Sequence, residues 1–105
     1  MKRKLLSLLG IATRAGKLSP GFSRCSSAIR SSKAQLVIVC RDVSDKTAKE
    51  IRFLCDKFHV PVADSDINME ELSGAIGWKA GVCAVCDAGF ARSMAALTNS
   101  NGKDD

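Results

Sequence analysis

The sequence contains one histidine, one tryptophan, two prolines and no tyrosine among 105 residues. With His59 alone, no pair of imidazoles can form a metal site or a coupled acid–base set. Cys83-x-x-Cys86 has no second such pair, whereas a structural zinc needs about four ligands at matched spacings. The residues around it read as a strand, where positions three apart point to opposite faces. No apolar run reaches the roughly 18 residues of a membrane span, and no period repeats as in a solenoid. Glycine-rich phosphate loops of the Walker or Rossmann spacing are also missing. The apolar stretch Leu5–Ala12 is short and followed at once by Arg14 and Lys17, with no small-residue cleavage site, so it reads as a helix and not as a secretory leader. Five cysteines, an odd number, then point to reduced thiols and a cytoplasmic location. No metal, cofactor or small-molecule substrate is expected, and no coherent nucleophile or acid–base set marks an enzyme. The carboxylates Asp64, Asp66, Glu70 and Glu71 suit a polar loop and a first helical turn.

The most consequential absence is negative charge at the start. Residues 1–41 hold nine basic side chains and no acid, and residues 42–105 hold seven basic and eleven acidic ones, so +9 and −4 make up the net +5. Folding is expected to gather these early cations on one face, and such a face attracts polyanions by neutralising phosphates and releasing counterions.

The patterning predicts alternating helices and strands in one domain over residues 1–98, and Asn99–Asp105 reads as a disordered tail. Leu5, Leu8, Leu9 and Ala12 fall on one face of a first helix, Lys2–Ala15, ended by Gly16. Pro20-Gly21 is a turn, and Phe22–Ser32 a second helix. Leu36–Cys40 is a β-branched run suited to a strand buried on both faces. Ser44 caps a third helix, Asp45–Phe58, whose apolar stripe includes Ile51, Phe53, Leu54, Cys55 and Phe58. His59 closes it. Val60–Ala63 is a short edge strand beside Pro61. Asn68 and Glu71 have capping-box spacing for a fourth helix stopped by Gly77. Val82–Cys86 is a second buried strand, and Asp87 caps a fifth helix through Leu97. This alternation predicts a layered α/β/α domain.

Two segments carry candidate binding chemistry. In Ser19-Pro20-Gly21-Phe22-Ser23-Arg24 the glycine permits close backbone approach, and the following helix start offers unpaired N–H groups for phosphate. Arg24 and Arg30 add charge, and Ser23 and Ser27 add hydroxyls. Phe22 can stack on an unpaired base or serve as a hydrophobic staple. In Trp78-Lys79 an aromatic face sits beside a cation, a pairing suited to stacking with a phosphate contact; the indole can equally cover the end of the sheet.

The chain resembles the ribosomal protein family of L-seven-Ae and L-thirty-e type, the kink-turn RNA-binding proteins, and within it a small bacterial ribosomal-protein-like branch. The matching stretches are Leu8-Leu9-Gly10-Ile11-Ala12-x-Arg14-Ala15-Gly16-Lys17-Leu18 and Ala28-Ile29-Arg30-Ser31-x-Lys33-Ala34-x-Leu36-Val37. Asp42-Val43-Ser44, Val60-Pro61-Val62, Glu71-Leu72-x-x-Ala75-Ile76-Gly77 and Asp87-Ala88-Gly89-Phe90 follow. The resemblance implies a three-layer α/β/α sandwich around a mixed four-stranded sheet. It implies binding to ribosomal or other structured RNA, with the ribosome as a partner, and no catalysis. The family's turn into the second helix reads Gly-x-Asn-Glu, with a Lys one helical turn on, and meets the sheared G·A pairs of the kink-turn. Here Gly21 keeps its identity, while Ser23, Arg24 and Ser27 stand at the Asn, Glu and Lys positions. An ionised glutamate only accepts hydrogen bonds and an arginine only donates, so Arg24 cannot read the same guanine edge. The family's second contact segment corresponds to Trp78-Lys79-Ala80-Gly81. The RNA-binding set expected from both arguments is Gly21, Phe22, Ser23, Arg24, Ser27, Arg30, Lys33, Arg41, Trp78 and Lys79. The alternative is a protein-interaction module on the same fold that has lost kink-turn specificity.

Overall fold

A computed structural model of the chain describes residues 2–102, with side chains from residue 2 to residue 98. Its elements in chain order are α1 (Lys2–Arg14), β1 (Leu18–Pro20), α2 (Phe22–Arg30), β2 (Leu36–Val39) and α3 (Asp45–Phe58). They continue as β3 (Val62–Asp64), α4 (Met69–Ile76), β4 (Val82–Val85) and α5 (Ala88–Gly102). The four strands form one mixed sheet in the order β1-β4-β2-β3. β4 runs antiparallel to both β1 and β2, and β3 runs parallel to β2.

Strand alternation divides the core into two. Leu36, Ile38, Cys83 and Val85 point into one cluster with Leu5 and Leu9 of α1, Leu72 and Ile76 of α4 and Met94 of α5. Val37, Val39, Val82 and Ala84 point into the other, with Cys25 and Ile29 of α2 and Ile51, Leu54 and Cys55 of α3. Apolar side chains on both faces explain why β2 and β4 read as unbroken hydrophobic runs. The result is the expected α/β/α sandwich, with α1, α4 and α5 on one side and α2 and α3 on the other. Pro20 is accommodated because β1 is an edge strand.

The punctuation residues act as their chemistry dictates. Ser44 Oγ accepts from Thr47 N at the start of α3. Asn68 and Glu71 form the reciprocal capping box of α4. His59 and Gly77 close α3 and α4 in the left-handed conformation. Phe53 departs from expectation. Two residues past Ile51, it lies off the buried face of α3 and is 68% exposed, so the stripe consists of Ile51, Leu54, Cys55 and the half-buried Phe58. The fifth helix runs beyond Leu97 to Gly102. Of the tail expected over 99–105, residues 103–105 lie outside the described residues.

Candidate functional site

The strand registers define two ends of the molecule. Pro20 pairs with Cys83, and Val39 pairs with both Val82 and Asp64. The exits of β1, β2 and β3 therefore lie together with the entrance to β4. Along this rim run the turn into α2, the β2–α3 connection and the loop that precedes β4.

Gly21 begins α2 with φ 90° and ψ 158°, a region open essentially to glycine alone. Its N–H donates to Val82 O at 2.8 Å, which ties the turn to β4. No side chain caps the start of α2, so the amides of its first turn face the rim without a built-in acceptor. Phe22, Ser23, Arg24 and Ser27 are exposed on the first turns of the helix.

On the other side, Gly77 releases α4 and Trp78 and Lys79 project into solvent, Trp78 with 51% of its surface exposed. Ala80 is buried and Gly81 packs tightly. A Cβ at Gly81 would lie 2.9 Å from Val43 Cγ2 and 3.3 Å from Met69 Sδ. This close approach fixes the loop against the β2–α3 connection.

The two segments meet. The Arg24 guanidinium carbon stands 4.8 Å from the centroid of the Trp78 ring, within cation–π distance. Beside them an open groove of about 490 Å³ is bordered by Gly21, Phe22, Asp42, Ser44, Met69 and Lys79. The groove is not uniformly positive: Asp42, whose Oδ1 accepts from Met69 N at 2.9 Å, sets a carboxylate opposite Lys79.

The remaining expected residues are placed less tightly. Arg41 is exposed at the exit of β2, on the α1–α4 side. There its charge joins Lys2 in holding the Glu71 carboxyl below the usual range, an effect led by the hydrogen bond from Asn68 N. Lys2 Nζ itself lies 3.2 Å from Glu71 Oε2. Arg30 closes the last turn of α2, about two helical turns from Gly21. Lys33 lies farther still, beside Gln35, whose N–H donates to Val85 O at the opposite end of the sheet. Lys17 is also at that end, its carbonyl accepting from Cys86 N. The expectation that the early cations share one face is thus corrected: the acid-free segment crosses the sheet, and its charges divide between the two ends. Ser44, Thr47 and Met69 border the groove although sequence reasoning gave them no binding role. Ser44 was legible only as a helix cap.

Other chemistry is weak. The described residues contain no group of three or more His, Cys, Asp or Glu able to hold a metal ion. Cys83 and Cys86 do not converge: Cys83 faces the α1 cluster and Cys86 packs against the α2–α3 cluster. No described helix is long and apolar enough to cross a membrane.

Fold and rim together define a small α/β/α sandwich protein whose candidate surface is an open rim between two loops. Residues 3–95 match the family model described as Ribosomal protein L7Ae/L30e/S12e/Gadd45 family, and the chain belongs to that family. "RNA-binding protein YlxQ" of Enterococcus faecium is 32% identical over 96 residues, covering 91% of this chain and 92% of that protein. The protein of the same name from Bacillus subtilis (strain 168) is 36% identical over 91 residues, covering 86% and 90%. Among solved structures, a protein of unknown function from Bacillus halodurans C superposes with a TM-score of 0.85 at 37% identity, covering 91% of this chain and 97% of that one. The Giardia lamblia 15.5kD RNA binding protein shares the fold, with a TM-score of 0.73 at 17% identity and coverage of 94% and 88%.

Proposed function

We propose that this chain binds structured RNA along the rim formed by the turn into α2 and the loop before β4. The observation that carries the reading is the Arg24–Trp78 contact, which makes one surface of the two segments. The uncapped amides of α2, Arg24 and Lys79 offer donors and charge to phosphates. Phe22 and Trp78, both substantially exposed, offer aromatic faces to unstacked bases. The relatives named RNA-binding proteins support the same reading. Phosphate attraction does not depend on base identity, so affinity survives the exchanges at Ser23, Arg24 and Ser27 while the kink-turn preference implied by the family pattern does not. Ser27 and Arg41 flank the rim as secondary contacts, and Arg30 and Lys33 extend the charge beyond it. Ribosomal RNA, and with it the ribosome, is the first partner to test. The protein acts by binding, in the cytoplasm, without catalysis.

The test is binding to a kink-turn duplex and to a plain duplex across a salt series. We expect both to bind with similar, steeply salt-dependent affinity. Failure to bind either at low salt overturns the reading. The altered positions Ser23, Arg24 and Ser27 favour a second reading, a protein-interaction module. A partner retained after nuclease treatment would support it.

A further inference from the structure

A second groove adjoins the first. It lies between α2 and α3 and is bordered by Phe22, Arg30, Lys49, Glu50, Phe53 and Leu54. Phe22 borders both grooves, so the two surfaces are continuous. Phe53, 68% exposed, and Phe22, 43% exposed, present two aromatic side chains to one channel. Arg30 and Lys49 form no ion pair among the described residues, unlike Arg52, which is paired with Asp64. Single exposed apolar residues are ordinary on a surface. Two phenylalanines flanked by two unpaired cations in one groove make a specific combination: stacking faces with charges that can track a phosphate backbone. Glu50 adds an acceptor for base amino groups.

We infer that the α2–α3 groove holds a single-stranded RNA segment that continues from the structured element on the rim. One base stacks on Phe53 and the next toward Phe22, with phosphates against Arg30 and Lys49. From Phe22 to Arg30 the groove follows about 12 Å of helix, enough for a few nucleotides. The inference rests on the rim reading and extends its footprint.

The experiment compares a blunt RNA duplex with the same duplex carrying a single-stranded extension of about six nucleotides, within the site sizes of known strand-binding domains. The wild-type chain is expected to bind the extended RNA roughly five- to tenfold more tightly, in keeping with the strength of base–aromatic stacking. Phe53→Ala and Lys49→Ala each reduce that gain, Phe53→Ala to near unity, and leave blunt-duplex affinity unchanged. Both residues are exposed on α3, so neither variant disturbs the core. Equal affinity for the two RNAs overturns the groove assignment while leaving the rim reading intact, as does a gain that survives Phe53→Ala. Failure to bind either RNA overturns both. A protein partner lost on Phe53→Ala and retained after nuclease, with no gain from the extension, identifies the groove as a protein-docking face and also overturns the assignment.

Discussion

The guanidinium of Arg24 lies over the indole of Trp78, 4.8 Å from its centroid, and so joins the start of α2 to the loop before β4. The contact holds a long, mobile cation in one place and leaves its outer N–H groups free for phosphate. At an exposed site such a contact is worth about 0.5–1 kcal/mol. A double-mutant cycle with Arg24→Ala and Trp78→Ala, read by urea denaturation, should return a coupling of that size. Arg24→Glu should weaken binding to every RNA and flatten the slope of log affinity against log salt by about one. Unchanged or stronger affinity would count against placing Arg24 at the RNA.

Gly81 is required for space and Gly21 for backbone angle. A methyl at Gly81 meets Val43 Cγ2 at 2.9 Å, and overpacking of this kind costs roughly 1–3 kcal/mol. Gly21 has open space around its Cβ position, but its φ of 90° and ψ of 158° cost a side-chain-bearing residue about 1–3 kcal/mol. Both alanine variants should unfold at lower urea concentration. Only Gly21→Ala should also weaken RNA binding by more than its loss of stability explains, because it turns the amides at the start of α2. Equal RNA affinity for folded Gly21→Ala and wild type would sink that distinction.

Much of this architecture is legible in the sequence because its signals are local. The capping box of Asn68 and Glu71, the Ser44 cap and the stops at His59 and Gly77 are each set within a few residues. The two buried strands show themselves by hydrophobicity on both faces. Phe53 falls outside the stripe in which the sequence predicts it because helical periodicity smears when apolar residues crowd one turn, and its neighbours Leu54 and Cys55 are truly buried. The site was half legible. Gly21 and Trp78 stand out by residue type, but their juxtaposition depends on β1 pairing with β4, a contact between distant parts of the chain. For the same reason the charge count misled: a +9 segment that enters and leaves the sheet places cations at both ends.

Burial makes Cys25, Cys40, Cys55 and Cys83 poor acids. Burial first, then the neighbouring Cys55 and Cys86, pushes the Cys25 thiol up to about 12. Cys40 rises to about 12 and Cys55 to about 11, again chiefly through burial. Unfolded thiols ionise near 9, so above that pH the unfolded chain releases protons that the folded chain retains. Stability is therefore full below about pH 9 and declines as the pH rises toward 11–12. Urea midpoints at pH 7.5 and pH 10 should show the fall, and Cys25→Ala should shrink it. A disulfide reagent at pH 8 should label Cys86, which is half-buried, well before the four buried cysteines. Prompt labelling of all of them would contradict this packing.

Selectivity should be restorable at three positions. Ser23, Arg24 and Ser27 stand where the resemblance places Asn, Glu and Lys, and all three are exposed on α2, so their exchange leaves the core untouched. In the native chain the arginine at the second of these positions can only donate hydrogen bonds, and the guanine edge read by the family's glutamate also donates. The mismatch forfeits a charged hydrogen bond worth roughly 1.5–3 kcal/mol. The triple variant Ser23→Asn, Arg24→Glu, Ser27→Lys replaces that donor with an acceptor and moves the cation one turn down the helix. Its net charge falls by one, since a cation becomes an anion at position 24 and a neutral residue becomes a cation at position 27. Affinity for plain duplex should therefore drop modestly, while affinity for a kink-turn duplex rises by about tenfold or more relative to it. Titration of both RNAs at one fixed salt concentration reads the ratio directly. If the ratio stays near that of the native chain, the rim does not place these three side chains against the base edges, and the start of α2 acts on RNA through charge alone.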